Sequence, residues 1–492
     1  MKKIFLSIIL FCVIVSTALS QTYTTPNTGV NWTLDDIANV SPSTIVISGS
    51  NYSLLENLII SENDTVTIDT DIILSIDTDL LITVFGTFTI NSNAVTITAL
   101  NQASPYEGFR FEEFSDINIQ NTTIEYGGGL RVLTESFTLN NCTVSQNVDG
   151  GATTGAVISL SRGTPQITNN TITFNALPAI ASGANQSVSA NIFNNYIEGN
   201  NQLNSNRPQI NMGATRILDT LKITQNTIIG DPSLDMVGGI AVANLVGGTI
   251  RVIIDDNIVQ NNRYGLTVVG PNSFAYIRDN IIEDNNTQNL PLSGGSGMSL
   301  NTSSGVMEVI ASGNEIRRNL WGITVIGTAS INLGDEIDNT GENVFSENGN
   351  GGEVYALYNN TSNTLLAKNN CWIEGQVNTL ADAESVIFHQ TDDGSLGEVI
   401  YDPVGVGCEI LSVNEFSVDS FSFYPNPARN QINFNNKYFF TRVDIYGIQG
   451  ELIESIAISE GDNLVHFNML QGLYFISFKS ETTQIVRKLL VN

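Results

Sequence analysis

The sequence predicts an all-β protein, in which a long parallel β-helix solenoid is followed by a small antiparallel β-sandwich. Three observations support this prediction. A phrase of the type NNTITFN (169–175) recurs through the middle of the chain, short apolar strands lie between successive phrases, and both patterns stop near Cys408. Self-similarity with a period of roughly 20–50 residues indicates stacked repeats.

The first twenty residues have the pattern of a secretory signal peptide. They begin with two lysines, continue with an apolar run over 4–15, and end in small residues before Gln21. No later apolar run is long enough to cross a bilayer. Loss of the two lysines changes the formal charge from −29 to −31. Such a charge excludes nucleic acid and anionic lipid surfaces as partners.

Residues 21–41 are expected to cap the N-terminal end of the solenoid, because an open end exposes unpaired sheet edges. The segment NWTLDDIANVS (31–41) predicts a short amphipathic helix, with Leu34, Ile37 and Val40 on its buried side. The β-helix is expected over 42–408, and residues 384–404 are expected to form a final irregular turn.

The repeated phrase marks a corner of each coil. Sharp corners need left-handed or bridge backbone conformations, which Asn and Asp tolerate best after Gly, and stacked Asn side chains can hydrogen-bond between coils. The first polar residue of each phrase is therefore expected to stack in one column: Asn170, Asn195, Asn226, Asp256, Asp279, Asn314 and Asn343, extended by Cys142 and Asn370. The apolar residue two places later should point inward: Ile172, Ile197, Ile228, Ile258, Ile281 and Ile316.

Each coil holds three strands separated by turns. A strand often follows a glycine, as in GITVIG (322–327), and another precedes the next phrase, as in VMEVIAS (306–312). Coils advance about 4.8 Å each, so about ten coils between 100 and 370 extend on the order of 50 Å.

Residues 42–408 resemble the pectate-lyase-like right-handed β-helix superfamily. The resemblance is carried by ENLIISENDTVTIDTDIILSIDTDLLITVFGTFTI (56–90) at one end, and by AKNNCWIEGQ (367–376) and TDDGSLGEVIYDPV (391–404) at the other. It implies a right-handed coil. It implies no single activity, because lyases, hydrolases, epimerases and adhesins share this fold.

After a predicted linker at 409–420, residues 421–492 show alternating strands with Pro and Gly turns, which predict a small antiparallel sandwich. Four ordered pieces, YPNP (424–427), VDIYG (443–447), GLYF (472–475) and KLLV (488–491), resemble the C-terminal sorting domain of type IX secretion cargo in the Bacteroidota. The resemblance implies an Ig-like fold, the type IX machinery as a partner, and delivery to the cell surface.

Candidate catalytic groups are few. A lyase acting on acidic polysaccharide needs a cation and a base, and Arg278 and Arg317, with Arg318 adjacent, are the cations that could line one face. The favoured interpretation is that these arginines are solvated side chains that shield an acidic surface. His389, beside Asp392 and Asp393, is placed in a terminal loop, and His466 lies in the tail, so neither is expected to be catalytic.

Two acidic groups raise the question of a calcium site. Asp69, Asp71, Asp77 and Asp79 form two Asp-Thr-Asp units, whose four carboxylates would converge if the units stacked on adjacent strands. Asp255, Asp256 and Asp279 lie near successive corners. For the first group the favoured interpretation is ordinary solvent-facing aspartates in turns, and the residues of the second group are equally interpreted as aspartates in the Asn role, so calcium stays an alternative.

Further candidates are two insertions and the tryptophans. QLNSNRPQINMGATR (202–216) and NTQNLPLSGGSGMSLNTSS (286–304) are expected to project as partner-binding loops. Trp321 and Trp372 provide either sugar-stacking faces or core caps. Cys371 and Cys408 are candidates for a disulfide, whereas Cys142 occupies the ladder position of its repeat.

The sequence therefore favours a non-catalytic surface protein that binds glycan or matrix. A polysaccharide lyase or glycoside hydrolase is the alternative. Catalytic and metal-binding residues are not assigned.

Overall fold

The computed structural model describes residues 21–406 except 154, 291–293 and 351, then 408, 423–434, 440–447, 450–459, 464–480 and 484–492. The predicted signal peptide and linker lie outside these residues. The chain divides into two compact units, 1–410 and 411–492. Among the described residues, no helix is long and apolar enough to cross a membrane.

The first unit is a parallel β-helix built from three long sheets, because each strand pairs with a strand one coil away. Sheet A contains Thr22–Thr24, Asn57–Ile60, Leu81–Val84, Gly108–Phe111, Leu130–Val132, Ile158–Leu160, Ile180–Ser182, Ile210–Met212, Ile240–Ala243, Leu266–Val269, Ser296–Thr302, Trp321–Gly327, Leu357–Thr361 and Ile387–Phe388. Sheet B contains Asn31–Trp32, Thr65–Ile68, Thr87–Ile90, Asp116–Gln120, Ser136–Asn140, Gln166–Thr168, Asn191–Phe193, Leu221–Thr224, Ile250–Asp255, Ser273–Arg278, Met307–Ser312, Ser330–Asn332, Leu365–Leu366 and Val399–Ile400.

Sheet C completes each coil. It contains Ile45–Ser48, Asn51–Leu54, Ile72–Ile76, Val95–Ala99, Thr122–Glu125, Thr143–Ser145, Thr171–Thr173, Tyr196–Glu198, Thr227–Ile229, Ile258–Gln260, Ile281–Glu283, Glu315–Arg317 and Val344–Ser346. Its first pair is antiparallel. A small antiparallel pair, Gly349–Asn350 with Glu353–Val354, extends one turn. Alternate residues of most strands in the three long sheets point inward, and they form one continuous apolar core.

The predicted N-terminal helix is present as Leu34–Val40. Thr33 and Asp36 cap it reciprocally, since each donates its backbone N–H to the side chain of the other. Leu34 and Ile37 are buried, but Val40 is 59% exposed, so its predicted burial is wrong. At about 100° per residue, Val40 lies well round the helix from Leu34, and the helix ends at that residue. A second short helix, Leu380–Glu384, packs near the other end of the unit.

The Asn column is present, although two of its predicted members are displaced by one residue. The continuous column, named here the first ladder, runs between sheets B and C through Asn170, Asn195, Asn226, Asn257, Asn280, Asn314, Asn343 and Asn370. Cys142 occupies the preceding position, as predicted, because its N–H donates to Asn170 Oδ1. Burial raises the pKa of the Cys142 thiol to about 11.

Asp256 and Asp279 are not ladder residues. Both have left-handed backbones, with φ of 57° and 55°, and they precede the ladder residues Asn257 and Asn280. The predicted inward positions two places later are therefore wrong for Ile258 and Ile281, which are only half-buried. The next residues, Val259 and Ile282, are fully buried instead, whereas Ile172, Ile197, Ile228 and Ile316 are buried as predicted.

A second ladder lies at the corner that follows sheet C. It runs through Asn147, Asn175 and Asn200, and resumes through Asn262, Asn285, Asn319 and Asn348. One coil has Asp231 in place of an Asn, and the Asp231 carboxylate accepts from Ser233 within its own turn. Gln209 fills this gap, because its Oε1 accepts from Asn200 Nδ2 at 3.2 Å and its Nε2 donates to Asn262 Oδ1 at 3.1 Å.

The second unit contains two antiparallel sheets around its own core. One sheet is formed by Phe423–Tyr424, Gln431–Phe434 and Leu464–His466. The other is formed, in spatial order, by Leu452–Ala457, Arg442–Tyr446, Gly472–Lys479 and Gln484–Val491. Buried side chains from both sheets, including Phe434 and Phe478, meet in this core.

Candidate functional site

The arginine face, which was the less favoured interpretation of the sequence, is not formed. Arg278 lies in a sheet B strand and Arg317 in a sheet C strand, while Arg318 occupies a left-handed corner position with φ of 52°. The spacing of the repeated phrases placed Arg278 and Arg317 one coil apart. In the structure, however, Arg278 ends the strand before the corner between sheets B and C, whereas Arg317 lies in the strand that follows this corner.

Each of these arginines forms ion pairs with carboxylates. The Arg278 guanidinium pairs with Asp255 at 2.5 Å. Arg317 makes two 2.7 Å bonds to the carboxylate of Glu374 and also contacts Glu315. Hydrogen bonds from Arg317 lower the pKa of Glu374, which holds the pair ionised. A guanidinium saturated in this way has few donors left for a uronate.

Arg318 follows the same pattern. It contacts Asp284 through Nε at 2.9 Å and Nη2 at 2.7 Å, and it contacts Glu283 at 2.8 Å. The hydrogen bond with Asp284 raises the pKa of Arg318 further. These arginines therefore neutralise neighbouring acids of the solenoid.

Neither acidic group forms the expected cation site. Asp69 and Asp71 precede the strand Ile72–Ile76, whereas Asp77 and Asp79 follow it, so the two units lie at opposite ends of one strand. A strand of five residues separates the units, so the four carboxylates do not converge. Asp71 Oδ1 instead accepts backbone N–H groups of Asn93 and Ala94, at 3.1 and 2.9 Å. No group of three His, Cys, Asp or Glu residues in the described part of the chain is arranged to hold a metal ion.

The residues of the second acidic group, Asp255, Asp256 and Asp279, have structural roles. Burial is the main influence on Asp255 and raises its pKa, while its pairing with Arg278 opposes this effect. Asp256 and Asp279 donate their backbone N–H groups to the next coil, at 3.0 Å in both cases. They are aspartates at left-handed corners.

His389 is a buried structural residue. Its Nδ1 accepts the Val399 N–H at 2.9 Å, so the ring proton belongs on Nε2, which lies 3.2 Å from Glu384. Burial of Glu384 opposes its ionisation, but hydrogen bonds from Thr391, Tyr401 and His389 lower its pKa overall. Both ring nitrogens are thus used within the fold. His466 is exposed in the second unit.

The two insertions are largely integrated into the solenoid. They contain the sheet A strands Ile210–Met212 and Ser296–Thr302. In the first, Asn204 donates to Asp235 at 2.8 Å and accepts the Met236 N–H at 2.9 Å, which ties it to the turn of the next coil. The expectation of a freely projecting loop is therefore wrong for this segment.

The two tryptophans lie in different environments. Trp372 is 1% exposed and stacks on Phe345 at a centroid distance of 5.1 Å and an interplanar angle of 5°, so it belongs to the core. Trp321 begins a sheet A strand and is only partly buried. It belongs to a group of partly exposed aromatic side chains on the solenoid's described surface.

This group, the aromatic cluster, consists of Trp321, Tyr355, Tyr358 and Phe388. Trp321 stacks on Tyr355 at 4.7 Å, and Tyr358 stacks on Phe388 at 4.6 Å. The two pairs meet edge to face, with 4.9 Å between the Trp321 and Tyr358 centroids. All four rings keep part of their surface accessible. The cluster therefore presents an apolar, pre-ordered surface at the C-terminal end of sheet A.

Strand register explains how the cluster forms. Tyr358 pairs with Thr324 in the preceding coil and with Phe388 in the next. Residues 30 and 34 positions apart therefore share an outward-facing row. Of these residues, the sequence indicated only Trp321. The other three aromatic residues could have been found from this row, but the row is visible only once the strand pairing is known.

Two cysteines lie beside the end of the solenoid. Cys371 and Cys408 are both buried thiols. The Cys408 carbonyl accepts the Gly375 N–H at 2.7 Å, and the Gly405 N–H donates to the Asn370 carbonyl at 2.8 Å, so the two segments run side by side.

Comparison with protein families identifies the second unit. Residues 422–492 match the family described as the secretion system C-terminal sorting domain. This match and the two antiparallel sheets agree with the resemblance in the sequence. The tail is a type IX sorting domain, and it directs the chain to the cell surface. Comparisons with curated proteins and with solved structures found no match.

Proposed function

We propose that this chain, exported by type IX secretion, acts at the cell surface as a non-catalytic glycan-binding or matrix-binding protein. The observation that carries the proposal is the aromatic cluster of Trp321, Tyr355, Tyr358 and Phe388. Aromatic side chains with a polar tip are well suited to ligands that are apolar on one side and hydroxylated on the other. Pyranose rings have this character, because their C–H faces pack on rings and their hydroxyls form hydrogen bonds.

The cluster is suited to binding because it is ordered before a ligand arrives. Its rings are held by strand pairing and by each other, so little side-chain entropy remains to be lost on binding. Polar groups adjoin it on sheet A. Asn360 is exposed on the strand that holds Tyr358, and Thr324, which pairs with Tyr358, is mostly buried on the strand that holds Trp321.

The alternative function is a polysaccharide lyase or glycoside hydrolase. No specific observation favours it over binding. The arginines proposed to neutralise a uronate are paired with carboxylates, and both nitrogens of His389 are used within the fold. We therefore assign no catalytic residue under this alternative, and the activity assay described below tests it.

Some finer assignments belong to the same proposal. We assign the first twenty residues to a signal peptide, residues 21–41 to an N-terminal cap, 42–408 to a pectate-lyase-like β-helix domain and 409–420 to a linker. The sorting domain covers 421–492, and a source in the Bacteroidota fits this tail. Sequence patterns support these assignments.

The test is glycan binding by the full chain and two variants. Trp321→Ala and Tyr358→Ala each remove a ring from the centre of the cluster, and we expect binding to plant or algal polysaccharides to weaken at least tenfold. Tyr276→Ala is the matched control, because this tyrosine is 47% exposed on sheet B, outside the cluster. Binding that is equally strong in all four proteins would contradict the proposal.

The same preparations are assayed for new reducing ends and for the absorbance of unsaturated products. Product release by the unaltered chain would establish the enzymatic alternative. Loss of that activity in an Arg278 or Arg317 variant would then identify a catalytic cation despite its ion pairs.

A further inference from the structure

The surroundings of the aromatic cluster are strongly acidic. Residues 319–408, which contain all four rings, include thirteen aspartates and glutamates but only one lysine and no arginine. That lysine, Lys368, pairs with Glu336 at 2.8 Å. Arg317 and Arg318, which immediately precede this stretch, are also paired with carboxylates. A negatively charged ligand that approaches the cluster therefore meets like charge, and the nearby cations are already paired with acids.

Two of these acids lie close to the cluster and are held in place. Asp392 and Asp393 are both exposed, a few residues beyond Phe388. Asp392 Oδ2 accepts the His389 N–H at 3.0 Å, and Asp393 Oδ1 accepts the N–H and hydroxyl of Ser395 at 2.9 and 2.8 Å. Burial is the first cause of the raised pKa of Tyr358, and the charges of Tyr355, Asp393 and Asp392 add to it. Their field therefore reaches the rings.

We infer that the aromatic cluster selects glycans that carry no negative charge, and that Asp392 and Asp393 are specificity residues that exclude uronate-containing chains. This inference rests on the proposed function. Carboxylates at the rim of a sugar site accept hydrogen bonds from hydroxyl groups, but they repel a carboxylate on the ligand. The repulsion acts through partly exposed groups, so it is screened by salt.

The experiment measures binding of the full chain to oligosaccharides of matched length. The probes are a neutral hexose oligomer, a uronate oligomer and an amine-bearing oligomer, each at low and high salt. We expect the neutral probe to bind with little salt dependence. The uronate probe should bind at least tenfold more weakly at low salt, and the difference should shrink as salt rises.

A double variant, Asp392→Asn with Asp393→Asn, tests the two residues directly. It should strengthen uronate binding at low salt and leave neutral binding within about twofold. The matched control is Asp338→Asn with Glu342→Gln, which removes the same charge from exposed residues at the corner between sheets B and C. This control should leave the preference unchanged.

The outcomes separate the two proposals. Equal binding of the neutral and uronate probes at low salt, weaker binding of the amine probe than the neutral one at low salt, or equal effects of the two double variants would overturn the inference while glycan binding stands. If no probe binds, or if Trp321→Ala has no effect on binding, both proposals fail.

Discussion

Asn170 donates both its backbone N–H and its side-chain Nδ2 to the same atom, the Oδ1 of Asn195 in the next coil, each at 2.9 Å. Its Nδ2 also donates to the Leu139 carbonyl of the previous coil at 3.0 Å. One buried side chain thus joins three coils. This explains why the chain repeats Asn at this corner, because no other side chain of that length provides an amide donor and a carbonyl acceptor together.

The ladder predicts a large cost for an interior substitution. Asn226 accepts from Asn195 and donates to Asn257, so Asn226→Ala leaves donors and acceptors on both sides buried without partners. We expect a loss of about 2–4 kcal/mol in the free energy of unfolding, read from denaturant melts. Asn194→Gly is the control, since this exposed residue has φ of 53°, where glycine is unstrained. Similar losses in the two variants would show that the ladder is not the source of stability.

The corrected register gives a second prediction. Ile282 is fully buried in the core, whereas Ile281 is only half-buried. We expect Ile282→Ala to destabilise the chain by about 2–5 kcal/mol and Ile281→Ala by less than about 1 kcal/mol. Thermal unfolding of the two variants side by side is sufficient. A larger loss of stability in Ile281→Ala than in Ile282→Ala would instead support the register that the repeated phrase first indicated.

The sequence was sufficient to predict the solenoid, because Asn recurs at the equivalent corner of most coils. It was insufficient where two adjacent residues share the corner. Asp256 and Asn257 are both compatible with the phrase, and only the backbone decides that the first takes the left-handed position while the second enters the ladder. A pattern of polar residues does not distinguish these roles.

The aromatic cluster shows a different limit. Trp321 and Tyr358 are neighbours because coils of unequal length align their strands, and the length of each coil depends on its turns. Likewise, Arg317 and Glu374 are separated by a long stretch of chain, and their pairing depends on the fold. Local spacing therefore predicted the scaffold, but contacts between coils required the structure.

The Arg317–Glu374 pair predicts a pH dependence. Hydrogen bonds from Arg317 lower the pKa of Glu374 below its ordinary value of 4.5, and both side chains are only 18% exposed. The stability from this pair is therefore complete above about pH 4.5 and is lost as pH falls through the lower, folded-state pKa. We expect Glu374→Gln to destabilise the chain by about 1–3 kcal/mol at neutral pH.

The difference between Glu374→Gln and the unaltered chain should narrow below pH 4.5, because acid then removes the same charge from both. Glu342→Gln, an exposed change in a neighbouring coil, provides the comparison. Thermal melts across this pH range give the measurement. A difference that stays constant on acidification would mean that the pair does not couple titration to folding.

Cys371 and Cys408 give a prediction about oxidation. Outside the cytoplasm, the two thiols should lose two protons and two electrons to a disulfide oxidant and form one S–S bond, while Cys142 stays a thiol in the core. Mass spectrometry after alkylation should find one labelled cysteine without reduction, once the chain is unfolded, and three with reduction. Closing this loop should stabilise the chain by roughly 3–4 kcal/mol. Three labelled cysteines in the unreduced secreted chain would contradict the pairing.

The sorting tail gives the last prediction, and it concerns the whole cell. The second unit has its own core, in which the buried Asp444 binds Lys479 at 2.8 Å and Ser455 at 2.5 Å, so it can be removed without cutting the solenoid. Deletion of 413–492 should leave the chain in the periplasm. Leu470→Ala, at a position that is 84% exposed, should be exported normally. Cell fractionation and surface labelling distinguish the outcomes. Surface display of the truncated chain at the normal level would mean that the tail does not direct the protein to the surface.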